Sequence, residues 1–235
     1  IVFDHAGSGE LLVFLHGIGG YRQNWTEQLA AFAGDFHVVA WDARGYGDSE
    51  DYDGPLDFSD FAHDLNRLLD HFETTKVHLA GLSMGGRIAQ DFYALYPERV
   101  KTLILIATHS GFSDFSAEER QRFVELRRKP LVEEGKEPSD IAPTVAKSLI
   151  GPHATQAQYE RLVASIAALH KESYIKTIEA TTSFDRSREL DKITVPTLLI
   201  FGEHDPLTPP TLGRQFADRI KGSEFVVIPK AGHLI

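Results

Sequence analysis

Cysteine is absent from the 235 residues, which excludes disulfides, thiol nucleophiles and thiolate metal sites and fits a reducing, cytoplasmic setting. Methionine occurs once, at Met84, so residue 1 is not a retained initiator; Ile1-Val2-Phe3-Asp4 already reads as a strand, and residues are expected upstream. No apolar run approaches the ~20 residues that a membrane helix needs, and no basic-then-apolar leader opens the sequence. Positive charge is scarce as well: 24 Lys and Arg stand against 34 Asp and Glu, for a formal net charge of -10. The clustered cations that a phosphate backbone or an anionic bilayer requires are missing, so neither nucleic acid nor membrane is an expected partner. H-E-x-x-H, G-x-x-x-x-G-K-[ST] and G-x-G-x-x-G do not occur, and the 11 histidines are dispersed; no metal and no cofactor are expected. Nothing sets an oligomeric state.

What is present is a rhythm. Short apolar runs at Leu11 to Leu15, Phe36 to Trp41, Val77 to Ala80, Leu103 to Ile106, Leu198 to Phe201 and Phe225 to Ile228 lack strict alternation, as strands buried on both faces do. Helical patterns fall between them, near Asn24 to Ala33, Phe58 to Phe72, Gly85 to Tyr96 and Thr211 to Ile220. This is an open α/β sandwich with a parallel sheet. From His109 to Lys192 the rhythm stops, and helical patterns at Ala117 to Arg128, Ala142 to Leu149 and Ala157 to Leu169 replace it. The expected organisation is a core of 1–108 and 193–235 with a helical insertion at 109–192. The charged tract from Glu118 to Asp140 reads as solvated helix faces and a loop.

Gly81-Leu82-Ser83-Met84-Gly85-Gly86 lies between an apolar run and a helical segment that Pro97 ends. A serine on a strand-to-helix turn flanked by glycines is either an exposed nucleophile or a helix cap. A nucleophile needs a base and a group to orient that base, both near the same sheet edge. Leu198 to Phe201 runs into Gly202-Glu203-His204-Asp205-Pro206, and Phe225 to Ile228 runs into Pro229-Lys230-Ala231-Gly232-His233. Each strand delivers one polar candidate, and the order is Ser83, Asp205, His233. Glu203 and His204 point away from Asp205 on an extended segment and are weaker choices.

With these motifs, His16-Gly17-Ile18-Gly19-Gly20 and Asp42-Ala43-Arg44-Gly45-Tyr46-Gly47-Asp48-Ser49, the chain resembles a capped serine hydrolase of the α/β-hydrolase fold over nearly its whole length. That resemblance implies a mostly parallel central sheet flanked by helices, with a helical cap inserted after the sixth strand. It implies Ser83 as nucleophile, His233 as general base and then acid, and Asp205 as the group that orients His233. It also implies an oxyanion hole from the backbone N–H groups of Met84 and of Ile18, or of Gly19 if the loop is shifted. His16 and Arg44 would shape their turns, with Asp42 or neighbouring carbonyls accepting from Arg44. Trp25, His109 and Phe112 are pocket candidates by position.

Leu190 to Thr197 and Asp205-Pro206-Leu207-Thr208-Pro209-Pro210 are similar to the matching segments of 3-oxoadipate enol-lactonases. The expected reaction is hydrolysis of a carboxylic ester or small lactone through an acyl-enzyme. A C–C hydrolase of ring-cleavage products uses the same residues, and a small-ligand receptor that keeps them is the alternative of a different class. Serine at position 83 argues against the haloalkane and epoxide branches, which use aspartate there. The resemblance also implies a final helix beyond Ile235 that braces the histidine loop; without it, poor placement of His233 and low stability are expected.

Overall fold

A computed structural model describes residues 1–112 and 116–235; positions 113–115, inside the expected insertion, lie outside the described residues. Among the described residues seven strands form one sheet: β1 (Val2–Ala6), β2 (Leu11–Leu15), β3 (His37–Asp42), β4 (Val77–Leu82), β5 (Val100–Ile106), β6 (Thr197–Gly202) and β7 (Glu224–Ile228). Their order is β1-β3-β2-β4-β5-β6-β7, with only β1 antiparallel to its neighbour. Parallel neighbours need crossovers, which α1 (Thr26–Phe32), α2 (Ser59–His71), α3 (Met84–Leu95) and α8 (Pro210–Arg219) supply.

The period of two sorts each strand between two layers. Leu11, Val13 and Leu15 of β2 face the large core with Phe61 and Leu65 of α2 and Ile88 and Phe92 of α3. Leu12 and Phe14 face the other side with Trp25 and Leu29. On that second side a groove of about 900 Å³ crosses Phe14, Leu82, Ile106 and Ile200. All parallel strands deliver their carboxyl ends to one edge, where crossovers leave a crevice for a site.

Among the described residues the interval between β5 and β6 holds four α-helices, α4 (Ala117–Val132), α5 (Pro138–Leu149), α6 (Gln156–Ala167) and α7 (Lys171–Ser183). α4 and α6 begin with reciprocal capping boxes, Ser116 with Glu119 and Thr155 with Gln158. These helices follow β5, the fifth strand of the described residues. α4 also runs past Arg128 through Pro130, since a proline in the last turn removes only one N–H. No described helix is long and apolar enough to cross a membrane.

The turn after β4 depends on close backbone approach. A Cβ on Gly85 would lie 2.1 Å from the Leu15 carbonyl oxygen. Gly85→Ala is therefore expected to destabilise the fold by about 3 kcal/mol, the cost of overpacking a rigid core, read as a lower urea midpoint at unchanged slope.

Candidate active site

Ser83 joins β4 to α3 with φ 53 and ψ -110, a conformation that costs a non-glycine residue on the order of 1–3 kcal/mol. Three hydrogen bonds hold it there. The Ser83 N–H donates to the Ile106 carbonyl at 2.8 Å, and the Ser83 carbonyl accepts from Thr108 Oγ1 at 2.7 Å and from the Arg87 N–H at 3.2 Å. The side chain does not cap α3, and no hydrogen bond reaches its Oγ among the described residues. The hydroxyl is therefore left available at the positive end of a helix.

Asp205 and His233 meet where β6 and β7 end, with His233 Nδ1 2.8 Å from Asp205 Oδ2. Both are buried. The carboxylate also accepts from the N–H groups of Leu207 at 2.8 Å and Thr208 at 3.0 Å, and from Thr208 Oγ1 at 2.5 Å. Burial alone would raise the Asp205 pKa, but the bonds from His233 and Thr208 outweigh it and hold it below the usual carboxylate range. An acceptor-only carboxylate leaves Nδ1 as the protonated nitrogen and Nε2 as the free base.

The histidine loop is held by the inserted helices. The N–H groups of His233 and Leu234 donate to the Leu149 carbonyl at the end of α5, at 3.2 and 3.4 Å. Gly151 and Gly232 touch so closely that a Cβ on Gly151 would come within 2.6 Å of the Gly232 nitrogen. His233 is thus positioned against Asp205 by α5, a support that sequence reasoning missed.

The Gly17–Gly20 loop lies against the serine, since a Cβ on Gly17 would meet Ser83 Cβ at 3.2 Å. Gly20 N–H closes the loop onto the Gly17 carbonyl at 3.0 Å. Met84 is the first residue of α3, and first-turn N–H groups have no partner within their helix. Buried Ser165 of α6 donates to the Gly19 carbonyl at 2.6 Å. Its loss is expected to loosen the loop: Ser165→Ala should lower kcat about tenfold with KM nearly unchanged, and Ser165→Thr should restore much of it.

The remaining candidates sort as follows. His109 Nδ1 lies 3.0 Å from the Gly111 carbonyl. Burial, reinforced by the charge of Arg87, pushes its pKa down to about 3, so the ring is neutral. Phe112 is buried, edge-on to His109 and 5.0 Å from the Phe123 ring. Trp25 stacks on Phe14 at 4.9 Å on the α1 side of the sheet and lines the groove there; Ser83 does not line that groove. His16 is buried with Nε2 accepting from the Ala43 N–H at 3.1 Å, and burial lowers its pKa, which suits a structural neutral ring.

Arg44 departs from expectation. Its guanidinium takes the Asp64 carboxylate at 2.6 and 2.9 Å, while Asp42 is occupied by the Arg22 side chain and by the N–H groups of Arg22 and Asp48. The reason is geometric: Asp42 folds back beneath the Gly47 turn, and Arg44 faces α2. Among the described residues no cluster of three His, Cys, Asp or Glu is arranged to hold a metal.

The alpha/beta hydrolase fold family model matches residues 10–235. The chain belongs to that family. It is 29% identical over 226 residues to 3-oxoadipate enol-lactonase 2 of Acinetobacter baylyi, covering 95% of this chain and 81% of that one. It is equally 29% identical over 248 residues to the 2-hydroxy-6-oxononadienedioate/2-hydroxy-6-oxononatrienedioate hydrolase of Escherichia coli, covering 99% and 84%. A thermophilic esterase from Thermogutta terrifontis shares the structure with a TM-score of 0.88 at 31% identity, over 99% of this chain and 86% of that one. The chain is a hydrolase of this fold.

Proposed function

We propose that this hydrolase cleaves a carboxylic ester or small lactone through an acyl-enzyme on Ser83. The observation that carries the reading is the buried Asp205–His233 pair at 2.8 Å on the same sheet edge as a strained serine whose hydroxyl is uncommitted. Substrate binding brings Ser83 Oγ into line with His233 Nε2, as catalytic hydrogen bonds absent in the free enzyme tighten in the complex.

Ser83 Oγ attacks the carbonyl carbon as its proton passes to His233 Nε2, and the C=O electron pair moves onto oxygen. The Met84 and Ile18 N–H groups receive that oxyanion. The carbonyl re-forms, the C–O bond to the alcohol breaks, and His233 returns the proton to the leaving oxygen. Water then repeats the sequence on the acyl-enzyme, giving the acid and free Ser83. Asp205 stays ionised throughout and stabilises the imidazolium. Residues 109–192 act as a cap over this site, with α5 and α6 bearing on the two loops.

The Escherichia coli relative is named as a 2-hydroxy-6-oxononadienedioate hydrolase, and the C–C hydrolase alternative puts a vinylogous diketone in the assay. Short and long p-nitrophenyl esters, γ-lactones and that diketone, each beside Ser83→Ala, separate the activities. Turnover of esters or lactones that Ser83→Ala abolishes is the expected result. Turnover of the diketone alone replaces the ester reading, and slow single turnover with ligand-dependent partner capture replaces it with a receptor.

A further inference from the structure

Arg87, one helical turn beyond Ser83, is the only buried arginine among the described residues, at 3% exposure. Among the described residues its guanidinium meets no carboxylate. Nη1 reaches the Thr181 carbonyl of α7 at 3.5 Å, Nε is enclosed without a partner, and the group rests 5.7 Å from the Phe58 ring centroid. Other inward arginines of this chain are neutralised by buried aspartates: Arg22 by Asp42, Arg44 by Asp64 and Arg186 by Asp91. A second unpaired cation adds to the imbalance. Arg127 of α4 lies 3.7 Å from the Phe123 ring centroid and donates to the Phe123 carbonyl at 3.2 Å, and it forms no ion pair among the described residues.

The nearby phenols do not supply the missing charge. Burial raises the pKa of both Tyr46 and Tyr174 above the ordinary value, which keeps them neutral. Burial, together with the charge of Arg127, pushes Arg87 down to about 9, still a cation at neutral pH. A cation enclosed without an anion is unfavourable unless a partner arrives, and a carboxylate is the partner whose two oxygens match a guanidinium.

We propose that Arg87, assisted by Arg127, binds a carboxylate on the acyl portion of the substrate, making the substrate a half-ester or lactone of a short dicarboxylic acid. The inference rests on Ser83 as the acylated residue. Arg87 lies four residue steps beyond Ser83, a rise of about 6 Å, which a chain of a few carbons between ester carbonyl and carboxylate spans. The contact of Nη1 with the Thr181 carbonyl of α7 puts the cation between α3 and the helices inserted before β6, one helical turn from Ser83. The acyl group stays tethered to Ser83 through both chemical steps, so an anion on that portion remains at Arg87 while the alcohol departs.

Mono-p-nitrophenyl glutarate and p-nitrophenyl pentanoate share a leaving group and a five-carbon acyl chain and differ in one terminal charge. The wild-type protein is expected to favour the glutarate in kcat/KM by about 10- to 100-fold, the worth of a charge-assisted contact. Arg87→Met should bring that ratio to near one, Arg127→Met should lower it by less, and Arg87→Lys should retain part of it. Free glutarate should raise the Tm of the wild type and not that of Arg87→Met. A wild-type ratio at or below one, or a ratio unchanged by Arg87→Met, overturns the anion site; if Arg87→Met does not fold, Arg87→Lys and Arg127→Met with the wild-type ratio decide. Absence of fluorophosphonate labelling at Ser83 with no turnover of either ester overturns the ester reading instead, and the glutarate-dependent Tm shift then decides the anion site alone.

Discussion

Ser83→Ala is expected to lower kcat for a reactive ester by about 10⁵- to 10⁶-fold, the size of effect seen when the nucleophile of a serine relay is removed. Stability should hardly change. The Ser83 hydroxyl makes no hydrogen bond among the described residues, and the strain at φ 53 lies in the backbone, which alanine shares; a difference within about 0.5 kcal/mol is expected. The separation of the two readouts is informative, because a residue that merely capped α3 would show the reverse, a stability loss of about 1 kcal/mol with activity intact. Steady-state turnover with active-site titration, beside a urea melt, measures both. Residual activity above about one part in a hundred would place the nucleophile elsewhere. Adding His233→Ala to Ser83→Ala should cost almost nothing further, since residues acting as one relay are strongly non-additive.

Asp205→Asn is expected to reduce kcat by about 10⁴-fold while preserving the fold. The carboxylate accepts from His233 Nδ1, from two N–H groups and from Thr208 Oγ1. An amide has a single acceptor oxygen for these donors. Turning its NH₂ toward His233 makes Nδ1 the acceptor and protonates Nε2, which then cannot take the proton from Ser83. The same substitution should cost roughly 2 kcal/mol at neutral pH through lost bonds to a charged group. Because the folded pKa of Asp205 is depressed, its ionised form contributes stability fully above the unfolded value of about 3.9, and that contribution disappears as pH falls through the lower folded value. The stability gap between wild type and Asp205→Asn should therefore narrow on acidification. Urea midpoints at pH 7 and below pH 4 test this, and a gap that widens in acid contradicts it.

The strands and the site candidates were legible for related reasons. Buried parallel strands announce themselves as unbroken apolar runs, and each candidate side chain follows such a run at a turn rich in glycine or proline. α7 was not legible, because Ser173, Thr177 and Thr181 are buried in it and interrupt the apolar stripe that marks a helix. Two of these hydroxyls find partners locally or across the chain, Thr177 Oγ1 donating to the Ser173 carbonyl at 2.9 Å and Ser173 Oγ to Asp51 Oδ1 at 2.5 Å, while Thr181 Oγ1 is buried with no hydrogen-bond partner among the described residues. The partner of Arg44 is hidden for a different reason: Asp64 lies 20 residues away on a helix, and no local pattern distinguishes it from Asp42. Thr208 and Ser165 were missed too. Thr208 carries a faint signal, three residues after Asp205 at the spacing of a side-chain turn; Ser165 carries none, since its contact with Gly19 spans 146 residues.

The Leu149 carbonyl under the histidine loop and the Ser165 hydroxyl under the glycine loop make the inserted helices poor candidates for modular exchange. A chimera that imports these helices from another hydrolase to change its selectivity would disconnect both supports at once. Retaining Leu149 to Gly151 and Ser165 as grafted anchor points is the condition under which such swaps should keep their turnover.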